Sequence, residues 1–435
     1  MVSFHNLFIT HNLSEKIKKS INLITYNLQN KDLLVVIFSR LIVVIAQLGF
    51  VKLYSGKLSA YSIGVYALFG TISYILSATV FIPLDYYQQA LIYPLREQGK
   101  SLMSLVYFNL KIFKWILLFT IISLPLLFIF NQSTLVIYFI LAVMVAVSTY
   151  TAGALRGVLN NLEHKQAVAV IQVLEGIGKV GVLYLLFELL GHTAMEVIGT
   201  QLFVSVLIIP FSIYLSFYYL IYKGDIGEPI KWKKYLKFAY PIAIGAIINL
   251  AQLQGYRLLL APMGFIEIIG KYFVVSQVGV VGMSIISIIY SQIYIPIVYK
   301  TKGGYLQVYL KNALLLISFV FVFSLIFSKA LVSLLTKPEY SQYSILILYG
   351  ILAEGCNLIL GALGIYLTIK SKTRQMLLGS VLTATISVMV TYLLYIYNVI
   401  SIYTIGVPII MSQLFGVCYM YLIYKKCSYV FKSDS

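Results

Sequence analysis

The chain has 435 residues, of which 60% are hydrophobic and only 11% are charged. Soluble domains carry about 25% charged residues, so the polar surface that would keep a soluble enzyme of this size in water is missing. Lys and Arg outnumber Asp and Glu by 32 to 14, for a net charge of +18, yet so apolar a chain is no disordered nucleic-acid-binding tail, and three cysteines without paired spacing exclude a disulfide scaffold or a zinc module. What remains is a polytopic membrane protein with no nucleic-acid partner.

A membrane-crossing helix needs about 20 mostly apolar residues. Residues 1–33 are polar and basic and read as a cytoplasmic N-terminal segment. No apolar stretch precedes Leu33, so no cleaved signal peptide is expected. Twelve helices are predicted after it, at 34–54, 61–83, 110–130, 134–155, 167–190, 197–221, 236–258, 271–296, 312–331, 343–368, 376–397 and 402–424. The charge-free run from Trp115 to Leu155 is too long for one crossing, and Asn131, Gln132 and Ser133 divide it. Tyr397, Asn398 and Ser401 divide the run from Met376 to Tyr424 in the same way. The segments are too long, and alternate too little, for a transmembrane β-barrel.

Charge sets the expected topology. With the N-terminus in the cytoplasm, 24 of the 32 basic residues fall on the cytoplasmic side and six on the outer side, while Arg40 and Lys179 lie within predicted spans. This bias supports an even helix count with both termini cytoplasmic. Arg156 and Lys165 are counted here as one cytoplasmic loop, and Lys231, Lys233, Lys234 and Lys237 belong to a basic central segment. That segment divides the chain into an N-terminal six-helix lobe (34–222), a linker (223–235), a C-terminal six-helix lobe (236–424) and a cytoplasmic tail (425–435).

The halves echo each other. Ser62-Ile63-Gly64-Val65-Tyr66 recurs as Ile268-Ile269-Gly270-Lys271-Tyr272, and Gly153-Ala154-Leu155 recurs as Gly361-Ala362-Leu363. Val173-Leu174 matches Val381-Leu382 in register with the second echo. A duplication of six helices keeps both halves in one orientation, with the symmetry axis along the membrane normal and a central cleft between two bundles. The expected fold class is therefore all-α, with twelve transmembrane helices in two six-helix lobes.

Polar groups inside spans are costly and mark function or helix pairing. Arg40 and Gln47 lie seven residues apart on one face of the first helix. Arg40 reads either as a cavity cation for an anionic head-group or as an arginine snorkelling to the interface. Gln172, Glu175 and Lys179 form one stripe, with Glu175 and Lys179 at i,i+4, and a real ion pair is expected there. Asn249, Gln252 and Tyr256 share a face of the seventh helix, with Gln254 and Arg257 beside it. Such a face suits water or a sugar, although Arg257 also fits a plain interfacial role near the outer end. Glu354 and Asn357 lie one turn apart, and Glu354 either stays protonated or pairs with a cation. Asp85, just after Pro83, reads as an interface or loop residue. Gln277 and Gln292 read as cavity wall or as helix-joining groups. Most of the 37 tyrosines fit the interfacial belt, while mid-span Tyr74 and Tyr290 are candidates for stacking on sugar rings. The candidate substrate-binding set is thus Arg40, Gln47, Glu175, Lys179, Asn249, Gln252, Tyr256, Arg257 and Glu354.

No Walker-type loop, no His-Glu-x-x-His pattern and no acidic cluster is present in the sequence. No enzyme activity, metal or cofactor is expected.

Three stretches resemble one family. Leu58-Ser-Ala-Tyr-Ser-Ile-Gly64-Val-Tyr66 is similar to a segment after the first helix of polysaccharide-export flippases. Gly153-Ala-Leu-Arg156-Gly157-Val-Leu-Asn160-Asn-Leu-Glu-His-Lys165 resembles their loop between helices four and five. Phe238-Ala-Tyr-Pro241, with the polar helix running to Arg257, resembles the start of their second half. The likeness covers about residues 30–425 and points to the O-antigen and polysaccharide-unit flippases of the multidrug/oligosaccharidyl-lipid/polysaccharide exporter (MOP) superfamily. It implies two lobes, alternating access, and an undecaprenyl-pyrophosphate-linked oligosaccharide carried to the outer leaflet of a bacterial cytoplasmic membrane. It also implies basic cavity residues for the pyrophosphate, with Arg40 the best counterpart and Arg257 the second, and membrane lipids, a polysaccharide polymerase and glycosyltransferases as partners. Where relatives often carry an acid in the seventh helix, this chain has Gln254 or other neutral residues. The rival expectations are a multidrug or organic-cation antiporter of the same superfamily, which would need intramembrane acids, and a non-transporting membrane assembly protein.

Overall fold

The structure, a computed structural model, describes residues 31–129, 133–162, 164–220, 229–370 and 372–433. The expected N-terminal segment lies almost wholly outside these residues, as does the first part of the linker. The described chain is all-α and makes twelve membrane-length crossings. They are formed by α1 (Lys31–Lys57), α2 (Ala60–Leu76) continued through α3 (Ile82–Glu97), α4 (Met103–Ile129), α5 (Ser133–Asn161), α6 (Lys165–Leu189), α7 (Ala194–Leu220), α8 (Trp232–Leu260), α9 (Ile266–Lys300), α10 (Leu306–Leu335), α11 (Ile347–Ile369), α12 (Thr373–Ile396) and α13 (Val407–Ser433).

Each crossing coincides with one predicted from hydropathy, and the differences sit at the ends. The third crossing starts at Met103 instead of 110, and the seventh at Trp232, inside the expected linker. The early start of α8 carries Lys233 and Lys234, whereas residues 103–109 at the start of α4 carry no lysine. In α8 the helix continues past the point where apolarity ends, because long lysine stems reach back to the interface. The last crossing starts later than expected. Asn398 turns the chain at φ 52°, and Ser401 and Thr404 bond each other's backbone N–H before α13 begins.

The second crossing is not a uniform α-helix. Between α2 and α3 lies a π-helical stretch, Ser77–Phe81, where the Ile82 N–H bonds the Ser77 carbonyl five residues back. Pro83 follows at once and has no N–H with which to bond the Thr79 carbonyl, so widening the turn relieves the mismatch. Asp85, expected in a loop or at the interface, therefore lies inside α3 and accepts a hydrogen bond from Gln89.

Helix pairing repeats between the halves. In the first, α1 packs on α6, α2 on α5, α5 on α7, and α6 on α7. In the second, α8 packs on α12, α9 on α11, α11 on α13, and α12 on α13. These are the same pairs shifted by six crossings, as the sequence echoes require. Helix α9 is the central post. It touches α1 and α2 of the first lobe and α8, α10 and α11 of the second. Lipid is as apolar as leucine, so close packing of small residues holds these helices together. A Cβ at Gly279 would lie 2.1 Å from the Ile347 carbonyl oxygen, and one at Gly350 would lie 2.0 Å from that of Ser276. Only glycine permits this approach of α9 to α11. Many hydroxyls inside the bundle bond back to their own helices, as Thr71 does to Ala67 and Thr120 to Ile116.

Candidate functional site

The main polar cavity lies between the lobes, with a volume of about 730 Å³. Helical periodicity builds its walls. Helix α1 contributes Arg40, Val43, Gln47, Val51 and Tyr54 at intervals of three and four residues. Helix α5 contributes Gly153, Arg156, Gly157 and Asn160, α6 contributes Gln172, Glu175 and Lys179, and α9 contributes Gln277, Ser284 and Gln292. Gly176 brings α6 against α1, since a Cβ there would lie 3.3 Å from that of Ala46. This closeness sets the α6 charges beside the Arg40–Gln47 stripe.

Glu175 holds two cations. Lys179 Nζ donates to its Oε1 at 2.8 Å, which is the expected i,i+4 pair, and the Arg156 guanidinium donates to its other oxygen. Arg156 corrects the sequence reading. It was assigned to a cytoplasmic loop, but it lies on α5 inside a membrane-length span and faces the cavity. Arg40 has no ion-pair partner among the described residues, and its buried Nε has no hydrogen bond. Three cations thus face one carboxylate, an excess of two positive charges in a chamber whose remaining polar lining is amides and hydroxyls.

The cavity is open at one end. A contiguous vestibule of about 460 Å³ shares Arg40, Asn160, Gln172 and Gln292 with it and reaches Lys165 and Lys300 at the membrane face that carries both described chain ends. The other end is closed. Tyr54, Tyr66 and Phe273 form its ceiling, and Gln201 Nε2 donates to the Tyr66 hydroxyl at 2.6 Å. Beyond the ceiling, the two copies of the glycine echo meet. A Cβ on Gly64 would lie 2.1 Å from the Ile266 carbonyl, and one on Gly270 would lie 1.9 Å from the Ala60 carbonyl and 2.8 Å from the Gly64 nitrogen. The repeat therefore forms a seam between α2 and α9, with no room for a side chain on either helix.

Other candidate residues sit elsewhere. Arg257, on α8, reaches across to α2, donating to the Thr71 hydroxyl at 3.3 Å and the Ala67 carbonyl at 3.4 Å. Its Nε donates to the Tyr256 hydroxyl at 3.0 Å, and its guanidinium lies 4.9 Å from the Phe273 ring centre. Tyr256 is buried against Tyr272. Neither Tyr256 nor Arg257 lines the cavity; together they tie the lobes on the closed side.

Asn249 and Gln252 line a smaller pocket of about 270 Å³ inside the second lobe, with Asn357, Thr383 and Gln413. Gln252 is buried and joins three helices. It donates to Ser412, accepts from Thr383, and its carbonyl accepts from Ser387 at 2.7 Å. Glu354 accepts from Asn357, which accepts in turn from Gln413. Glu354 forms no ion pair among the described residues. Tyr290 is held in the core, donating to the Tyr309 carbonyl at 2.8 Å. The described residues contain no group of three or more His, Cys, Asp or Glu able to hold a metal.

No protein-family profile and no curated protein matches the sequence. Solved structures do match over nearly the whole chain. One is the lipid II flippase MurJ in an inward closed conformation, with 14% identity, a TM-score of 0.66, and 90% of this chain and 87% of that one covered. Another is an outward-facing multidrug resistance MATE transporter of the MOP superfamily, at 12% identity and TM-score 0.59, covering 93% and 97%. A third is a MOP-superfamily transporter from Pyrococcus furiosus with a binding pocket of reverse polarity, at 13% and 0.54, covering 95% and 93%. The chain shares the fold of these transporter structures. It carries its charged cavity residues on α1, α5 and α6 of one lobe, and in the other lobe an amide network that ends on Glu354.

Sequence reasoning missed Arg156 and Gln201. Arg156 did carry a signal: Gly153, Arg156, Gly157 and Asn160 repeat at helical spacing and continue the α5 face. Gln201 is a lone amide whose partner, Tyr66, is 135 residues away, and nothing local marks it.

Proposed function

We propose that this protein is an alternating-access transporter of the MOP superfamily that flips a lipid-linked oligosaccharide, with an undecaprenyl-pyrophosphate anchor, from the cytoplasmic to the outer leaflet for O-antigen or other surface-polysaccharide assembly. The carrying observation is the cavity charge: Arg40, Arg156 and Lys179 against Glu175 alone, with Arg40 unpaired among the described residues. An anionic diphosphate satisfies that excess, whereas an organic cation would be repelled by it. Gln47, Gln172, Gln277 and Asn160 supply the donors and acceptors that a sugar needs. In this reading both termini are cytoplasmic, so the open end faces the leaflet where the substrate is made. Polysaccharide polymerase and glycosyltransferases are the corresponding partners.

The step follows from exchange of ion-pair partners. A diphosphate reaching Arg40 competes with Glu175 for Arg156 and Lys179 and draws α1, α5 and α6 together. Release on the far side requires the Gly64–Gly270 seam and the Arg257 tie to part. The polar head travels in the cleft, because its charge and hydroxyls cannot enter hydrocarbon, while the polyprenyl tail stays in lipid.

A second reading is multidrug or organic-cation antiport, favoured by the MATE structures that share the fold and by Glu354, an acid without an ion-pair partner among the described residues. Proteoliposomes separate the two. The first reading expects flipping of a fluorescent undecaprenyl-pyrophosphate oligosaccharide and no proton-driven uptake of ethidium; the reverse result would establish the second.

A further inference from the structure

A second cavity, sharing no residue with the first, opens sideways toward lipid. It is an apolar groove of about 750 Å³ between α2, α4, α5 and α8, walled by Leu76, Ile112, Trp115, Phe119, Trp232 and Tyr235. Trp115 and Phe119 are well exposed along it. Its α8 wall runs from Trp232 to Ala243, about 16 Å at 1.5 Å per residue. That is half of a hydrocarbon core of about 30 Å, so the groove matches one leaflet. It begins at the face that carries the described chain ends, where α4 and α8 both enter the membrane.

The mouth is basic. Lys111 Nζ lies 5.6 Å from the centre of the Trp232 ring. Lys233, next to Trp232, flanks the groove face of α8, while Lys114, Lys234 and Lys237 lie on other faces of the same two helices. Neither α4 nor residues 229–240 contains an Asp or Glu. An apolar slot one leaflet long, flanked by Lys111 and Lys233 that form no ion pair among the described residues, is complementary to an anionic lipid.

We propose that this groove binds an anionic phospholipid of the leaflet on the termini side, with one acyl chain in the slot and the phosphate head-group on Lys111, Lys233 and their neighbours. The site lies where α8, the first helix of the second lobe, meets α2 and α3 of the first. It also borders the π-helical stretch, through Thr79 and Val80. A chain seated there fills the joint across which the lobes move relative to each other. The site does not depend on what the central cavity transports.

The test is native mass spectrometry of delipidated protein titrated with phosphatidylglycerol or phosphatidylcholine of equal chain length. Wild type is expected to retain phosphatidylglycerol about tenfold better, given the attraction of each lysine for an anionic surface. The double variant Lys111→Gln, Lys233→Gln should lose this preference while still binding both lipids. Leu236→Trp, at an exposed position that tolerates bulk, should weaken binding of both, with thermal unfolding confirming an intact fold. Equal binding of the two lipids by wild type, or unchanged binding by both variants, would overturn the proposal. Displacement of phosphatidylglycerol by undecaprenyl phosphate at matched concentration would also overturn it, assigning the slot to a carrier tail.

Discussion

At the scale of residues, the balance around Glu175 decides the chemistry. Its two oxygens are shared between Arg156 and Lys179, while Arg40 waits across the cavity. Arg40→Gln should lower flipping about tenfold to hundredfold, the value of a charge-assisted hydrogen bond to a diphosphate. It should leave thermal unfolding unchanged or slightly raised, because the buried Arg40 Nε has no hydrogen bond among the described residues. A drop in melting temperature matching the lost transport would point instead to a structural arginine. Glu175→Gln should show two opposite signs. Stability falls by about 1–3 kcal/mol as two cations lose their shared partner, yet pyrophosphate binding measured by calorimetry tightens; weaker binding would contradict partner exchange. The Glu175–Lys179 pair and the Arg40–Gln47 stripe were legible because each lies within one helix, where spacing fixes the facing. Arg156 was not, since its run of Arg156 to Lys165 reads as polar loop until a neighbouring helix supplies Glu175. For Arg257 the sequence showed a charge near the outer end but not Thr71 and Ala67, its partners on another helix.

At the scale of elements, the duplication became two different devices. The echo at Gly64 and Gly270 places both copies in one seam. Gly270→Val should therefore prevent α2 and α9 from closing and raise the reactivity of a cysteine introduced at Tyr66 toward an impermeant maleimide added from the outside. Unchanged labelling would show that the seam is not a gate. The echo at Gly153 and Gly361 lines the cavity in one lobe and the small pocket in the other. Carried along that register, Glu175 corresponds to Thr383 and Lys179 to Ser387, and both replacements bond Gln252. At these two register positions the first lobe carries charge and the second carries hydroxyls. Gln252→Leu should cost about 1–3 kcal/mol by removing the side-chain amide that Thr383 and Ser412 bond, while the Ser387 bond to the backbone carbonyl survives, seen as a lower melting temperature with little change in substrate affinity. A loss of affinity at full stability would make Gln252 a binding residue. The twelve crossings were legible from apolarity alone. The added turns at the starts of α4 and α8 and the π-helical stretch before Pro83 were not, because both depend on backbone hydrogen bonding that composition does not report.

At the scale of the whole molecule, the basic excess divides into topology and site. Most of it lies on helix ends and loops of one face, and a small remainder, Arg40, Arg156 and Lys179, lines the cavity with Lys165 and Lys300 at its mouth. A cleft open toward that face and sealed at the other has the form of one end-state of an alternating cycle. Outward movement of an anion is favoured by about 2.3 kcal/mol per charge per 100 mV of inside-negative potential. Collapsing the potential with valinomycin at equal potassium should slow flipping, and an unchanged rate would exclude voltage as a driving force. The central claim is that the cavity carries a lipid-linked diphosphate. Its most direct test is the flipping of undecaprenyl-pyrophosphate oligosaccharide in proteoliposomes containing wild type or Arg40→Gln. The account predicts flipping by wild type that free inorganic pyrophosphate inhibits and that Arg40→Gln largely loses; equal flipping by both, or none by wild type alongside ethidium transport, would contradict it.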